Sequence, residues 1–328
     1  MAVYTEVTLD EAAALIASCG LGTLTALAPC SGGIENTNYF ADTDAGRFVL
    51  TVFERLGADE LPFYLQLMKH LADRGLPVPG PHANADGSLL LSLRGKPAAV
   101  VDRLPGEHHL APDAGDCARV GGVLARMHAA ARDFAPQQPN LRGIDWWNAT
   151  VPVVAPRLDA DRAALMEDEL AYQRRLAASP AYAALPRAAV HGDLFRDNVM
   201  FQGETLTGVF DFYFAGVDSL LYDIAVAIND WCIDLETGRL AEDRAGALVA
   251  AYETVRPLEG AEARLLPALL RAAAFRFWLS RSWDAQLPRE AVVLTAHDPD
   301  HFERVLVQRR EAPWHPPRGR VAPAPVSP

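Results

Sequence analysis

The sequence predicts an α+β fold of two lobes, a small β-rich N-lobe followed by a larger helical C-lobe. Three observations predict it. Strand-like runs separated by Gly- and Asp-containing turns crowd into the first hundred residues, helical apolar periodicity dominates from Asp113 onward, and Leu104-Pro105-Gly106 punctuates the chain between them. Strands and helices segregated in this way, strands first, belong to an α+β fold rather than a doubly wound sheet. The implied division is 1–104, 105–312 and a Pro-rich tail over 313–328.

Thr8 and Glu11 form a capping box before an apolar-rich segment ending at Gly20, which predicts a helix over 9–19. Leu24–Ala28, Asn38–Asp42 and Arg47–Glu54 read as strands, with Gly32-Gly33 and Asp44-Ala45-Gly46 between them. Asp59 opens a second helix, in which Leu61, Tyr64, Leu65, Met68 and Leu71 recur at helical spacing. The linker Leu76-Pro77-Val78-Pro79-Gly80-Pro81 stops it, and two further strands, Leu89–Leu93 and Pro97–Arg103, complete a five-stranded lobe. Helices are expected over 113–132, 159–178, 218–235, 240–255, 261–284 and 299–311, interrupted by strands between 188 and 212. Pro313–Pro328 carries many prolines and no apolar period, so it is expected to be disordered.

Composition narrows the function classes. Of 328 residues, half are hydrophobic and 22% charged, with a formal net charge of −12, which disfavours nucleic acid as a partner. No apolar run is long enough to span a membrane and no basic–apolar leader opens the chain, so a cytoplasmic protein is expected. Cys19, Cys30, Cys117 and Cys232 are scattered, as reduced thiols are, and no histidine pair has metal-ligand spacing. No repeated apolar face stands out that would define an oligomeric state.

The chemistry concentrates in His191-Gly192-Asp193-Leu194-Phe195-Arg196-Asp197-Asn198, followed by Gly208-Val209-Phe210-Asp211-Phe212. An H-x-D-x-x-x-x-N string, a short β-rich connection and a second Asp give two carboxylates and an amide oxygen. An ATP-dependent phosphotransferase uses such groups to receive a hydroxyl proton and to hold Mg²⁺ against the phosphates. His191 reads as a brace for the loop.

This string and the order of lobes resemble the protein-kinase-like fold, and specifically the aminoglycoside-phosphotransferase family of small-molecule kinases. Gly192 after the His is similar to those enzymes rather than to protein kinases, and no A-P-E segment follows Asp211. The resemblance implies Asp193 as catalytic base, Asn198 and Asp211 as Mg²⁺ ligands, and ATP as phosphoryl donor. It also places the nucleotide flap at Ser31-Gly32-Gly33-Ile34-Glu35-Asn36-Thr37-Asn38, where glycine backbone and the Asn36 and Thr37 side chains would meet phosphate. Adenine would meet the backbone near Val100–Leu104, Val101 included. One departure stands out: Thr51 occupies the strand position where related kinases carry a Lys or Arg, which leaves Glu60 without a defined ion-pair partner.

Four strings, Gly33–Phe40, Asp211–Ala215, Asn229–Asp234 and Arg276–Arg281, are together similar to homoserine kinases of the phosphotransferase-fold type, over about Thr5 to Arg310. That similarity implies L-homoserine as substrate and a place in threonine biosynthesis. A zwitterion needs a cation for its carboxylate and an acid for its ammonium. Arg196, Arg276 and Arg281 are the available cations, with Arg196 favoured by its loop position, and Asn229 and Asp230 follow on a helix expected to line the cleft. Choline held in a cage of Trp231, Trp278 and Trp283, methylthioribose, an aminoglycoside, and a nucleotide-binding pseudokinase stay open as alternatives.

Overall fold

The computed structural model describes residues 4–30, 36–286 and 298–317. Its N-lobe comprises α1 (Leu9–Ser18), β1 (Leu24–Pro29), β2 (Thr37–Thr43), β3 (Arg47–Val52), α2 (Pro62–Ala72), β4 (Leu91–Leu93) and β5 (Lys96–Asp102). The five strands form one antiparallel sheet in the order β1-β2-β3-β5-β4. The capping box is present as expected: Thr8 accepts from the Glu11 backbone while Glu11 accepts from the Thr8 backbone.

Strand alternation gives this sheet two unlike faces. Tyr39, Ala41, Leu50, Val52, Ala98 and Val100 pack with Ala12 and Ile16 of α1 in a core of their own. The alternate residues Val49, Phe53, Ala99 and Val101 join α2 and the C-lobe in a second, larger core. The register Asn38–Thr51–Ala99 therefore forms one row on the face toward the C-lobe, and Phe40–Val49–Val101 the next.

The C-lobe carries α3 (Ala114–Ala130), α4 (Ile144–Val154), α5 (Ala160–Ala177), α6 (Pro180–Ala183), β6 (Arg187–Val190), β7 (Val199–Gln202), β8 (Thr205–Val209), β9 (Gly216–Ser219), α7 (Leu220–Trp231), α8 (Glu242–Glu253), α9 (Gly260–Gln286) and α10 (Pro299–Glu311). Three of these lie outside the sequence expectation: α4, β9 and the single turn α6, which Ser179 caps and Pro180 opens. Helix α4 contains Pro152, is apolar on several sides and starts at Gly143 without a side-chain cap, so it lacks the usual helix signals. Strand β9 pairs antiparallel with β6, and Ser219 then caps α7, so the helix expected from 218 begins at Leu220. Of the tail expected to be disordered, 313–317 is ordered, with Trp314 buried in the larger core because its ring adds apolar area there, and 318–328 lies outside the described residues.

The hinge is pinned to the C-lobe. Glu107 and Phe201 exchange two backbone hydrogen bonds of 2.8 Å, and Thr207 Oγ1 donates to the Pro105 carbonyl at 2.5 Å. Gly106 sits at φ +124°, where an added Cβ would lie 2.5 Å from the Phe201 carbonyl oxygen, so only glycine fits.

Candidate active site

A short hairpin, β7–β8, and the antiparallel pair β6–β9 that brackets it assemble the motif. β7 starts directly after Asn198 and β8 ends two residues before Asp211; the register Val199↔Val209 and a 3.1 Å bond from Phe210 N to Asn198 O bring those residues alongside each other. β6 and β9, paired Val190↔Gly216, deliver His191–Asp193 beside the same connection. Gly192 takes φ +75°, and a Cβ there would come within 2.8 Å of Phe214 O. Asp211 itself adopts φ +65°, a sparsely populated conformation for a residue with a side chain and one that clusters at functional sites.

His191 joins the two loops. Its Nε2 donates to the Phe210 carbonyl (2.9 Å) and its Nδ1 accepts from the Asp193 amide (3.2 Å), a pattern only the neutral tautomer satisfies. Burial, opposed by the nearby Asp223, lowers its pKa and favours that neutral form.

Helix α7 clamps the catalytic loop from behind. Asp223 and Asp230 lie seven residues, about two turns, apart and so share a face. The fully buried Asp223 carboxylate accepts from the backbone of His191 (2.9 Å) and Gly192 (2.8 Å), and pairs with His128 Nε2 (3.0 Å), whose other nitrogen meets the Tyr252 hydroxyl. Asp230 accepts from the Arg196 amide (2.8 Å) and its Nε (3.1 Å), while Trp231 Nε1 donates to Leu194 O (3.0 Å). The sequence motifs did not single out Asp223. The available signal was an acid inside an otherwise apolar run, which must be satisfied if the helix is buried.

Several expected site residues are engaged elsewhere. Arg196, favoured for a substrate carboxylate, directs its guanidinium to the Asp230 side chain, the Asp230 carbonyl and Leu110 O, so it braces the loop. Asn229 points away from the cleft, donating to Leu270 O (2.7 Å) and accepting from Arg309 (2.9 Å) in the helical core. Thr37 falls on the α1 face of the sheet, where its hydroxyl accepts from the Tyr4 and Thr5 amides and donates to Glu54. Asn36 Oδ1 accepts from the Glu54 amide at 3.4 Å. Val101 pairs through its backbone with Val49 inside the sheet, and offers the cleft its side chain rather than its backbone. Ser31, Gly32 and Gly33 lie outside the described residues. Arg281 stacks over Phe302 at 4.5 Å and donates to Asp298 O. Trp231 and Trp278 are core residues and Trp283 packs against that core, so no aromatic cage is formed by them.

Thr51 donates to Asn38 Oδ1 at 2.7 Å on the cleft face, so the row where relatives carry a cation is neutral here. The Lys96–Glu54 pair (2.5 Å) sits on the opposite face, held by the pleat away from the cleft.

Asp193 is the most perturbed carboxyl in the loop. Burial above all raises its pKa to about 7; Arg276 opposes this, and Asp211, Asp197 and Asp230 reinforce it. A carboxyl in that range can exchange a proton at neutral pH. Asn198 Nδ2 donates to the Asp193 carbonyl (2.8 Å) and carboxylate (3.3 Å), which commits the amide nitrogen and leaves the Oδ1 oxygen as the side chain's acceptor. Among the described residues no three His, Cys, Asp or Glu side chains close around a metal position. Mg²⁺ does not require that: one or two protein oxygens plus phosphates suffice, and the Asn198 and Asp211 donors fit such an ion.

Comparison with known proteins agrees with this geometry. The model of the phosphotransferase enzyme family matches residues 26–258. A homoserine kinase of Polaromonas naphthalenivorans (strain CJ2) is 60% identical over 314 residues, covering 96% of this chain and 99% of that one. Another, of Janthinobacterium sp. (strain Marseille), is 51% identical over 95% of this chain and 97% of its own. The aminoglycoside phosphotransferase of Alicyclobacillus acidocaldarius shares the fold at a TM-score of 0.65 with 16% identity, covering 94% of each chain.

Proposed function

The chain belongs to the phosphotransferase enzyme family, and on that footing we propose that it is a homoserine kinase, transferring the γ-phosphoryl group of ATP to the side-chain hydroxyl of L-homoserine. The observation that carries this reading is the 60% identity to a homoserine kinase across nearly the whole of both chains. The product, O-phospho-L-homoserine, lies on the route to threonine. Nothing in the chemistry calls for a macromolecular partner, and no described helix is long and apolar enough to cross a membrane.

Each step then falls to a named group. The homoserine hydroxyl oxygen attacks the γ-phosphorus, the bond to the bridging oxygen breaks, ADP leaves, and the hydroxyl proton passes to the Asp193 carboxylate. In a loose transition state that proton leaves late, so the main task of Asp193 is to aim the oxygen. Its support is the backbone clamp of Asp223 and Asp230, which fixes the loop on both sides of it. Asn198 and Asp211 would hold Mg²⁺, which when bound offsets phosphate charge. The Phe40–Val49–Val101 row gives the adenine an apolar wall on the N-lobe.

An ADP-release assay with MgATP and a panel of L-homoserine, L-threonine, L-serine, choline, methylthioribose and kanamycin tests the reading. A kcat/KM for L-homoserine at least a hundredfold above the others is expected. Preferred turnover of another alcohol would transfer the function to that substrate, and ATP binding without any turnover would indicate a pseudokinase.

A further inference from the structure

Arg276 on α9 is only 3% exposed, yet its Nε and Nη2 have no hydrogen-bond partner among the described residues. A buried guanidinium with idle donors is costly, and its presence asks for an acceptor that this structure does not contain. The rest of the side chain is firmly placed. Its Cζ lies 3.7 Å from the Phe277 ring centroid and 4.8 Å from that of Phe214, and Nη1 is 4.0 Å from Asp193 Oδ1. Two rings pack against the guanidinium, and its unpartnered donors are on its edge, where a ligand would meet them.

The chemistry of the idle edge is specific. Nε–H and the adjacent Nη2–H run parallel, and that pair matches the two oxygens of a carboxylate. We propose that Arg276 binds the α-carboxylate of the amino-acid substrate through Nε and Nη2, holding the side-chain hydroxyl against Asp193. The proposal rests on the homoserine kinase reading and names the residue that makes the enzyme select an amino acid over a simple amino alcohol.

Four bonds separate the hydroxyl oxygen of homoserine from its carboxylate carbon, roughly 5 Å when extended, and one hydrogen bond to Asp193 adds to that. Nη1 is 4.0 Å from Asp193 Oδ1, so a substrate held at the fork must run back along the side of the guanidinium to meet that carboxylate. The fork has no solvent contact in this state, so entry requires a covering ring to move; Phe214 is the more exposed of the two and sits on the connection between Asp211 and β9. Arg196, the cation favoured by sequence, has no such idle fork, since its donors already meet Asp230 and Leu110. Arg276 comes more than eighty residues after Asp193, a juxtaposition made by the packing of α9.

The test pairs L-homoserine with 3-amino-1-propanol, the same amino alcohol with hydrogen in place of the carboxylate. The ratio of their kcat/KM values is measured for wild type, Arg276→Ala and Arg276→Lys. Wild type should favour homoserine strongly, Arg276→Ala should lower that ratio about a hundredfold, and Arg276→Lys should fall between, because an ammonium keeps the charge but loses the fork. Equal losses for both substrates would mean that Arg276 acts on Asp193 or the phosphoryl group, and would overturn the proposal. If the alanine variant fails to fold, wild type alone still decides: comparable turnover of both substrates would show that the carboxylate is not read. Absence of wild-type turnover on homoserine would instead defeat the functional reading itself.

Discussion

The catalytic loop and the N-lobe sheet that faces it are built on opposite plans. The loop from His191 to Asn198 is dense with charge and tied down: Asp223 and Asp230 on α7 accept three of its backbone amides, and Trp231 donates to a fourth backbone group. The facing sheet offers Asn38, Thr51 and Ala99 in one row and Phe40, Val49 and Val101 in the next, with Thr51 and Asn38 bonded to each other. The difference assigns tasks. Groups that aim the nucleophile and hold metal must be fixed to within a fraction of an ångström, and charge-assisted hydrogen bonds from a buried helix do that. A wall that receives a nucleotide can be neutral, provided that charge compensation comes from elsewhere.

The largest effect should come from the loop's own carboxylate. Asp193→Asn keeps the shape and removes the acceptor proposed for the hydroxyl proton, so kcat should fall about a thousandfold while the ATP KM changes little. Steady-state kinetics with both substrates varied would check this. Near-wild-type turnover would remove Asp193 from the reaction.

Next in size is the clamp. Asp223→Asn replaces a charged acceptor of three donors with an amide that points its own N–H groups at some of them. Stability should drop by about 3 kcal/mol, read by denaturant unfolding. Loss of loop placement should lower kcat about a hundredfold. The two readouts together sharpen the contrast between lobes: lost stability with kcat intact would mean that the loop holds its geometry without α7.

Legibility in the sequence follows the same divide. The motif of Asp193, Asn198 and Asp211 lies within one stretch of chain, and the β7–β8 hairpin inside it is short, so spacing alone indicated that these groups converge. The N-lobe strands were readable from alternation and turn residues, and their order after the inserted helix agreed. What spacing could not give was the face each strand presents to the cleft. Thr37 is on the α1 side through its register with Val52 of β3, and Lys96 through alternation with Ala98 and Val100 of its own strand, a choice of face set by tertiary packing. Arg196 and Asn229 were misjudged for a related reason: polar residues at a site compete for each other before they compete for substrate. Arg276 depends on a helix packed from the far end of the chain, so the idle fork that distinguishes it from Arg196 is visible only in three dimensions.

The smallest effect probes the neutral wall. Thr51→Val preserves volume and β-branching and removes the hydroxyl that donates to Asn38 Oδ1. One neutral hydrogen bond contributes about 1 kcal/mol, so the ATP KM should rise by no more than about fivefold, with the homoserine KM unchanged. Initial rates against ATP at saturating homoserine measure it. A rise of a hundredfold would place a decisive phosphate contact on the Thr51–Asn38 pair and erase the contrast, because the sheet would then carry the binding energy assigned here to the loop. A rise of a few-fold would leave the proposed division standing, with the Thr51–Asn38 pair a neutral part of the wall and the charged contacts to phosphate sought among other residues.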